Sequence, residues 1–495
     1  MFRMKSKSLK VNFVMNMILT MSSFIFPLIT FPYVSRILLP IGTGKVSFAI
    51  SFVSYFTMVS QLGIPTYGIR ACAKVRDNKE ELTRIAHELL FINLFMCILS
   101  YIAFGVALKY IPRLQSDREL YIIIGFTIIL NAIGMEWLYK ALEQYTYITI
   151  RSVLFKFIAL IAMFLLIHNQ KDYVVYGAIS IFAASASNIL NFINVRKYVE
   201  LKWMGNYSIK RHLKPIITFF AIACAGTIYT SLDNVMLGFM TTDADVGYYN
   251  AAVKIKTILA SIVTSLGAVL LPRASYYVEN GMLDDFKKIT CKALNFVFLI
   301  ASPLVVYFIV FAKESVFFLS GDSYAGAIIP MQIIMPTVLF IGITNLLGIQ
   351  ILVPLGKEKM LLYSAIIGAI VDFIINAIWI PQFTSAGAAI GTVIAEFSVL
   401  VVQYMCLRKE MREVLITIHF GRIGVAVIIG LLLSAWIKLM DVNYFLTLLF
   451  SATLFFGGYG LFLLARKEQL VIEIKDIFVE KILQIKKNIF RPKMQ

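Results

Sequence analysis

Residues Leu361 to Ile380 read LLYSAIIGAIVDFIINAIWI, twenty residues with one ionisable side chain, Asp372, near the middle. As a helix rising 1.5 Å per residue, such a run is ~30 Å long, the thickness of the hydrocarbon core of a bilayer. Lipid offers no partner to backbone N–H and C=O groups, so a run of this kind is predicted to be a transmembrane helix, bonded within itself. The pattern recurs along the whole chain. Fourteen runs are predicted to span: Asn12–Val34, Val46–Tyr67, Ala86–Tyr110, Leu120–Tyr139, Val153–Ile167, Val174–Ile193, Pro215–Met240, Ala251–Leu271, Leu294–Phe311, Ile328–Val353, Leu361–Ile380, Ala386–Leu407, Ile423–Met440 and Phe445–Leu464. Composition agrees: 59% of the 495 residues are apolar and 15% charged, whereas about a quarter are charged in a soluble domain. The chain reads as an all-α polytopic membrane protein.

The formal net charge of +18 could suggest nucleic acid. The distribution argues otherwise, and no nucleic-acid partner is expected. Thirty-five of the 46 Lys and Arg residues fall in one set of alternating segments, including both tails, and eight in the other; Lys156, Lys254 and Lys256 lie within spans. Basic loops stay on the cytoplasmic side, so both termini are predicted to be cytoplasmic, in keeping with an even number of spans. The five cysteines lie in or beside apolar runs with no CxxC pair, which supports neither a disulfide framework nor a zinc site. The first run is too long for the apolar part of a signal peptide, and no small-residue cleavage motif follows it.

A faint internal repeat suggests how the spans are grouped. The first span leads into Ile37-Leu38-Leu39 and then Gly44-Lys45-Val46-Ser47-Phe48-Ala49; the seventh leads into Val235-Met236-Leu237 and then Gly247-Tyr248-Tyr249-Asn250-Ala251-Ala252. Leu62-Gly63 with Pro65 similarly matches Leu266-Gly267 with Pro272. Spans one and seven run the same way through the membrane, which predicts two parallel, pseudo-symmetric six-helix lobes related by an axis along the membrane normal, with two extra helices. The expected divisions are 1–200 for the first lobe, 210–408 for the second, 420–465 for the extra pair and 466–495 for a basic tail. In that tail Leu470, Ile474, Phe478, Leu483, Ile485 and Ile489 recur at near-helical spacing among lysines, as in an amphipathic helix lying on an anionic leaflet.

Charge facing lipid is costly, so ionisable residues in spans mark a cavity or a helix pairing. Seven cations are candidates to line a cavity for an anionic substrate: Arg36, Arg70, Lys140, Arg151, Lys156, Lys254 and Lys256. Arg and Lys suit phosphate, so a diphosphate-linked lipid fits them. Asp233, Asp372 and Glu396 are candidates to carry a coupling ion or to pair helices. A plainer reading stands beside this one: residues near the interface, such as Arg36, Arg70 and Lys140, can snorkel to headgroups.

Other signals carry less. Gly42-Thr43-Gly44-Lys45 resembles the end of a phosphate loop, but position 39 is Leu and position 46 is Val, so the motif fails. The four histidines have no metal spacing and are read as interfacial. Gly387 and Gly391 suit close helix packing. Nothing implies a cofactor or a catalytic centre, and the chain is not expected to be an enzyme.

Several stretches together resemble a known family. Phe31-Pro32-Tyr33-Val34-Ser35-Arg36 with Gly44, Tyr67-Gly68-Ile69-Arg70, Glu136-Trp137-Leu138-Tyr139-Lys140-Ala141-Leu142-Glu143-Gln144-Tyr145 with Arg151, Leu232-Asp233-Asn234-Val235-Met236-Leu237-Gly238, Gly247 to Ile255, and Gly387-Ala388-Ala389-Ile390-Gly391-Thr392 with Glu396 are similar, in this order, to the Wzx-type polysaccharide flippases. These belong to the multidrug/oligosaccharidyl-lipid/polysaccharide exporter superfamily. The resemblance implies a V-shaped MATE-like fold of about 14 helices in a bacterial inner or plasma membrane. It implies translocation of undecaprenyl-diphosphate-linked sugar repeat units from the inner to the outer leaflet by alternating access, for O-antigen, capsule or exopolysaccharide assembly. Its partners would be that glycan, the lipid bilayer, and the polysaccharide polymerase and chain-length machinery. Related branches flip the peptidoglycan precursor or export cationic drugs. The excess of cations over buried acids favours an anionic substrate, with Arg36, Arg70 and Lys254 expected to contact it. A membrane-embedded glycosyltransferase or polymerase fits less well, since the outside loops are short.

Overall fold

A computed structural model describes residues 9–200, 202–265, 267–408, 418–440, 442–473 and 475–476. The tail helix anticipated beyond Arg466 falls largely outside the described residues. Regular structure among the described residues is helical throughout. The principal helices are α1 (Leu9–Gln61), α2 (Ile64–Ala73), α3 (Lys79–Tyr110), α4 (Arg118–Ile133), α5 (Tyr145–Leu166), α6 (Lys210–Met240), α7 (Asp243–Thr264), α8 (Leu283–Val310), α9 (Glu358–Cys406), α10 (Phe420–Ser434) and α11 (Tyr444–Ala465).

Among the described residues ten helices are long and apolar enough to cross a membrane, and the pair Asp322–Ile334 and Pro336–Leu352, bent by 46°, makes an eleventh. The fourteen sequence runs are still present. α9 holds two of them, α1 holds the first and most of the second, which ends in α2, and Ala251–Leu271 is divided between α7 and the Gly267–Glu279 helix.

Each long helix doubles back at one residue of positive φ. In α1 it is Leu39 (φ 57°, ψ 178°), and its extended ψ follows from Pro40, whose ring disfavours a helical residue before it. The two arms then run back along their neighbours. Thr149 and Lys156 of α5 bond Met15 O and the Ser22 and Ser23 hydroxyls on the first arm. Beyond the break, Phe48 meets Tyr121 of α4 and Phe56 meets Phe104 of α3. In α9 the break is Thr384 (φ 50°, ψ −124°). Gln403 Nε2 bonds Ser364 Oγ at 3.2 Å, and Gly391 lies against Asn376, so α9 is a helical hairpin.

The chain divides into two compact units, both discontinuous. The first takes in the described residues of Met1–Ala251 with Leu319–Pro330 and Gly368–Gly391; the second takes in those of Ala252–Phe318, Met331–Ile367 and Thr392–Gln495. In the first, the corner after Leu39 packs on the start of α7 with backbone against backbone. A Cβ on Gly44 would overlap the Asp243 carbonyl, and one on Gly247 would overlap the Pro40 carbonyl. In the second, α8 is bound to α11 by Tyr307, whose hydroxyl reaches Leu448 O at 3.1 Å and Ser451 Oγ at 2.9 Å, and by Tyr459 OH, which donates to Leu299 O.

The glycine contacts leave no space for a side chain. Gly44→Val or Gly247→Val should each cost ~1–3 kcal/mol by forcing backbone apart, read as a lower thermal midpoint of the purified protein. Gly105→Ala, where a Cβ meets nothing within 4 Å, should not lower the midpoint, since alanine favours a helix interior over glycine.

Candidate functional site

A buried polar group in the first unit forms where α6, α7 and α9 meet. Asp233 on α6 is 7% exposed, Asp372 3% and Asn376 0%. Tyr249 OH donates to Asp233 Oδ2, and Asn376 Nδ2 donates to Asp233 Oδ1 at 2.7 Å. A second rung lies beside the first. Asn250 Nδ2 donates to Asn234 Oδ1 at 2.8 Å, and Asn234 Nδ2 donates to Ser51 Oγ of α1 at 3.1 Å. Both rungs join residues sixteen apart on the antiparallel α6 and α7. Gly391 permits the α9 hairpin to close here: a Cβ on it would overlap Asn376 and stand 3.2 Å from Asp372 Oδ1. Gly387 faces the Trp379 backbone in the same way, so this glycine pair packs against its own chain.

Three of the cation candidates in the first unit, Lys140, Arg151 and Lys156, gather around Glu136. Arg151 is 4% exposed; its guanidinium reaches Glu136 Oε2 at 3.3 Å and Asn188 Oδ1 at 3.1 Å. Lys140 takes the other oxygen of Glu136 at 2.8 Å. Lys156 bonds the Ser22 and Ser23 hydroxyls, each at 2.9 Å. Arg36 is exposed near the α1 break, where it donates to Pro32 O at 2.6 Å. Arg70 is exposed in the last turn of α2. Lys254 and Lys256 are half-buried and Glu396 is buried, all in the second unit.

The structure adds groups that the sequence reading passed over. Glu88, fully buried two turns into α3, accepts from Ser208 N, from Arg211 Nη2 at 2.7 Å and from His212 Nε2 at 2.6 Å. His212 Nδ1 bonds Tyr67 OH at 2.7 Å. His212, read as interfacial, is therefore buried, because a buried carboxylate on α3 holds it. At the other end of α3, Asp117 accepts from Lys45 Nζ at 2.8 Å and from Tyr173 OH at 2.7 Å, and Arg113 pairs with Asp243. Burial alone would raise the Asp117 carboxyl, but Lys45 and Tyr173 outweigh it and hold it below its usual value. Glu88 was findable, as an ionisable residue inside an apolar run, and Asn234 and Asn250 each follow a residue already singled out by motif. No group of three or more His, Cys, Asp or Glu suited to a metal ion occurs among the described residues.

The arrangement of helices is similar to that of two solved membrane proteins. The chain superposes on the lipid II flippase MurJ in an inward closed conformation with a TM-score of 0.68 at 16% identity, covering 91% of this chain and 99% of that one. It superposes on an inward-facing MATE family multidrug resistance transporter with a TM-score of 0.62 at 15% identity, covering 82% and 99%. The class is thus a multi-pass membrane protein of MATE-like fold. Within it, the profile of the polysaccharide biosynthesis protein family matches residues 9–278, more than half of the chain, and the chain belongs to that family. A protein of Escherichia coli (strain K12) named as an O-antigen transporter is 24% identical over 419 residues, 81% of this chain and 97% of its own length. One of the same name from Shigella dysenteriae is 24% identical over 399 residues, 80% of this chain and 99% of its own. These matches bear out the motif resemblance to Wzx-type flippases.

Two measurements test the added groups. Glu88→Ala leaves the buried His212 Nε2 without its acceptor, while Arg211 keeps Glu81. It should cost about 2 kcal/mol, less than the ~3–5 kcal/mol of a fully buried pair because Arg211 reaches the surface; a thermal midpoint equal to the parent's would contradict this. For Asp117, a carboxyl held low stabilises the fold above the unfolded aspartate value near pH 4 and loses that effect as pH falls through its lower folded value. The thermal advantage of the parent over Asp117→Asn should be constant from about pH 8 to 5 and shrink below about pH 4.

Proposed function

We propose that the chain is a flippase carrying undecaprenyl-diphosphate-linked oligosaccharide repeat units from the inner to the outer leaflet of a bacterial inner or plasma membrane. The units would feed surface polysaccharide assembly, with the polymerase and chain-length machinery acting downstream. The observation that carries this reading is the placing of Arg151 and Lys156 inside α5, a helix apolar enough to span the membrane. Cations at such depth are costly and are kept for function. Lys156 bonds two serine hydroxyls, and with Lys140 and Arg151 it makes three cations around the single carboxylate of Glu136, an excess of positive charge that suits a diphosphate. The names of the relatives and the family description favour the same substrate class.

The step is transport, by alternating access of two six-helix lobes with both termini in the cytoplasm. Lys156 and Arg151 attract the diphosphate, and Arg36, Arg70 and Lys254 are the next residues to meet phosphate or acidic sugar. Asp233 and Asp372 take up a coupling ion, with Asn376 and Tyr249 holding Asp233 in place. Glu396 is the third candidate acid. A cation exporter would instead want acids where α5 carries Arg151 and Lys156.

The test is a cell lacking the gene, complemented with variants. Loss should leave lipid-linked repeat units on the inner leaflet and strip the surface of glycan; the parent gene should restore both. Lys156→Glu should fail to restore, Lys156→Arg should restore largely, and Asp233→Asn should be present in the membrane yet slow. Normal surface glycan without trapped intermediate in the deletion strain would refute the proposal. Full complementation by Lys156→Glu would remove Lys156 from the substrate path.

A further inference from the structure

The segment joining the Gln170–Lys197 helical region to α6 carries Arg196, Lys197, Lys202, Lys210, Arg211 and Lys214 against one acid, Glu200. Two of its charges are accounted for. Glu200 pairs with Lys79 at 2.9 Å, and Arg211 is held by Glu88 and Glu81. Lys202, Lys210 and Lys214 are exposed, and no carboxylate pairs with them among the described residues. The segment is also fixed at several points: Glu200 N donates to Thr83 Oγ1, Ser208 N to Glu88 Oε1, and Tyr207 OH bonds His87 Nδ1.

Trp203 sits at the middle of this segment, 71% exposed. It is held edge-on by Tyr207 at 4.9 Å between centroids and lies 5.7 Å from Phe91 of α3. Phe91 is in register with Phe95, Ile98, Ile102 and Val106, at successive three- and four-residue steps along α3, and these four are exposed apolar residues. They form a lipid-facing stripe on one side of the helix. Trp203 therefore stands where that stripe ends and the polar end of α3 begins, which is the level of the headgroups. Trp and Tyr favour this level, and lysines there meet lipid phosphates.

We propose that this segment is a fixed docking surface for anionic phospholipid headgroups, with the Trp203 ring at the headgroup–acyl boundary and Lys202, Lys210 and Lys214 on the phosphates. This inference is independent of what the protein transports. An exposed apolar ring on one segment with three uncompensated ammonium groups selects an anionic amphiphile over a zwitterionic one.

The test uses the full chain in nanodiscs of phosphatidylethanolamine and phosphatidylglycerol at one fixed ratio, with brominated acyl chains on one lipid or the other. The Trp203 contribution to fluorescence is obtained by subtracting Trp203→Ala, or Trp203→Phe where the alanine variant does not purify. Quenching of that contribution should be at least about two-fold stronger, per mole of label, when bromine is on phosphatidylglycerol. The triple variant Lys202→Gln, Lys210→Gln, Lys214→Gln should make the two labels equal while eluting as the parent does. Equal quenching in the parent, no quenching by either label, or a preference that survives the triple variant would each overturn the proposal.

Discussion

Hydrocarbon cannot bond a free N–H or C=O, and the rest of the structure depends on this constraint. It favours continuous helix, so every interruption needs a local explanation. The reversals at Leu39 and Thr384 have one. Leu39 directly precedes Pro40, and Pro381 lies three residues before Thr384; each stands next to close backbone packing, Gly44 and Gly247 for the first, Gly387 on Trp379 for the second. A non-glycine residue at positive φ costs of order 1–3 kcal/mol, so it persists only where surrounding structure fixes it. The π-helical stretches Phe182–Ala186 and Leu346–Leu352 relieve the same constraint by shifting register without breaking the helix.

The buried polar groups obey a related rule. Asp233 would be expensive alone in a membrane helix, yet its two oxygens are met by Tyr249 and Asn376. Glu88 is met by four donors from Ser208, Arg211 and His212. In both cases side chains from neighbouring helices replace water. Groups of this kind are costly when half-satisfied and confer specific packing when complete. Arg151, shared between Glu136 and Asn188, follows the same pattern with opposite sign.

Much of this was legible in the chain. The run around Asp372 sufficed to show a membrane helix, because length and apolarity act locally. The depth of Asp233 and Asp372 was equally visible, because a carboxylate in an apolar run stands out in one dimension. Their meeting with Asn376 and Tyr249 was not, since it depends on the fold of α9 onto itself and on the register of α6 against α7. The cations show the limit most clearly. Read along the sequence, Arg36, Lys140 and Lys156 looked like equal members of one set; in space Lys140 and Lys156 share Glu136 with Arg151, while Arg36 donates to Pro32 O near the α1 break. Glu88 was passed over because it lies two turns from the start of α3, where an apolar run and a polar helix end overlap.

The joint between Gly44 and Gly247 has a property that side-chain packing lacks. Its surfaces are peptide planes, which have no rotamers to freeze when they meet or to release when they separate. Contact there is not graded: there is no methyl group to trim and no hydroxyl to swap for a slightly weaker hold. A joint of this kind is either engaged or apart, and it behaves as a detent rather than as a spring.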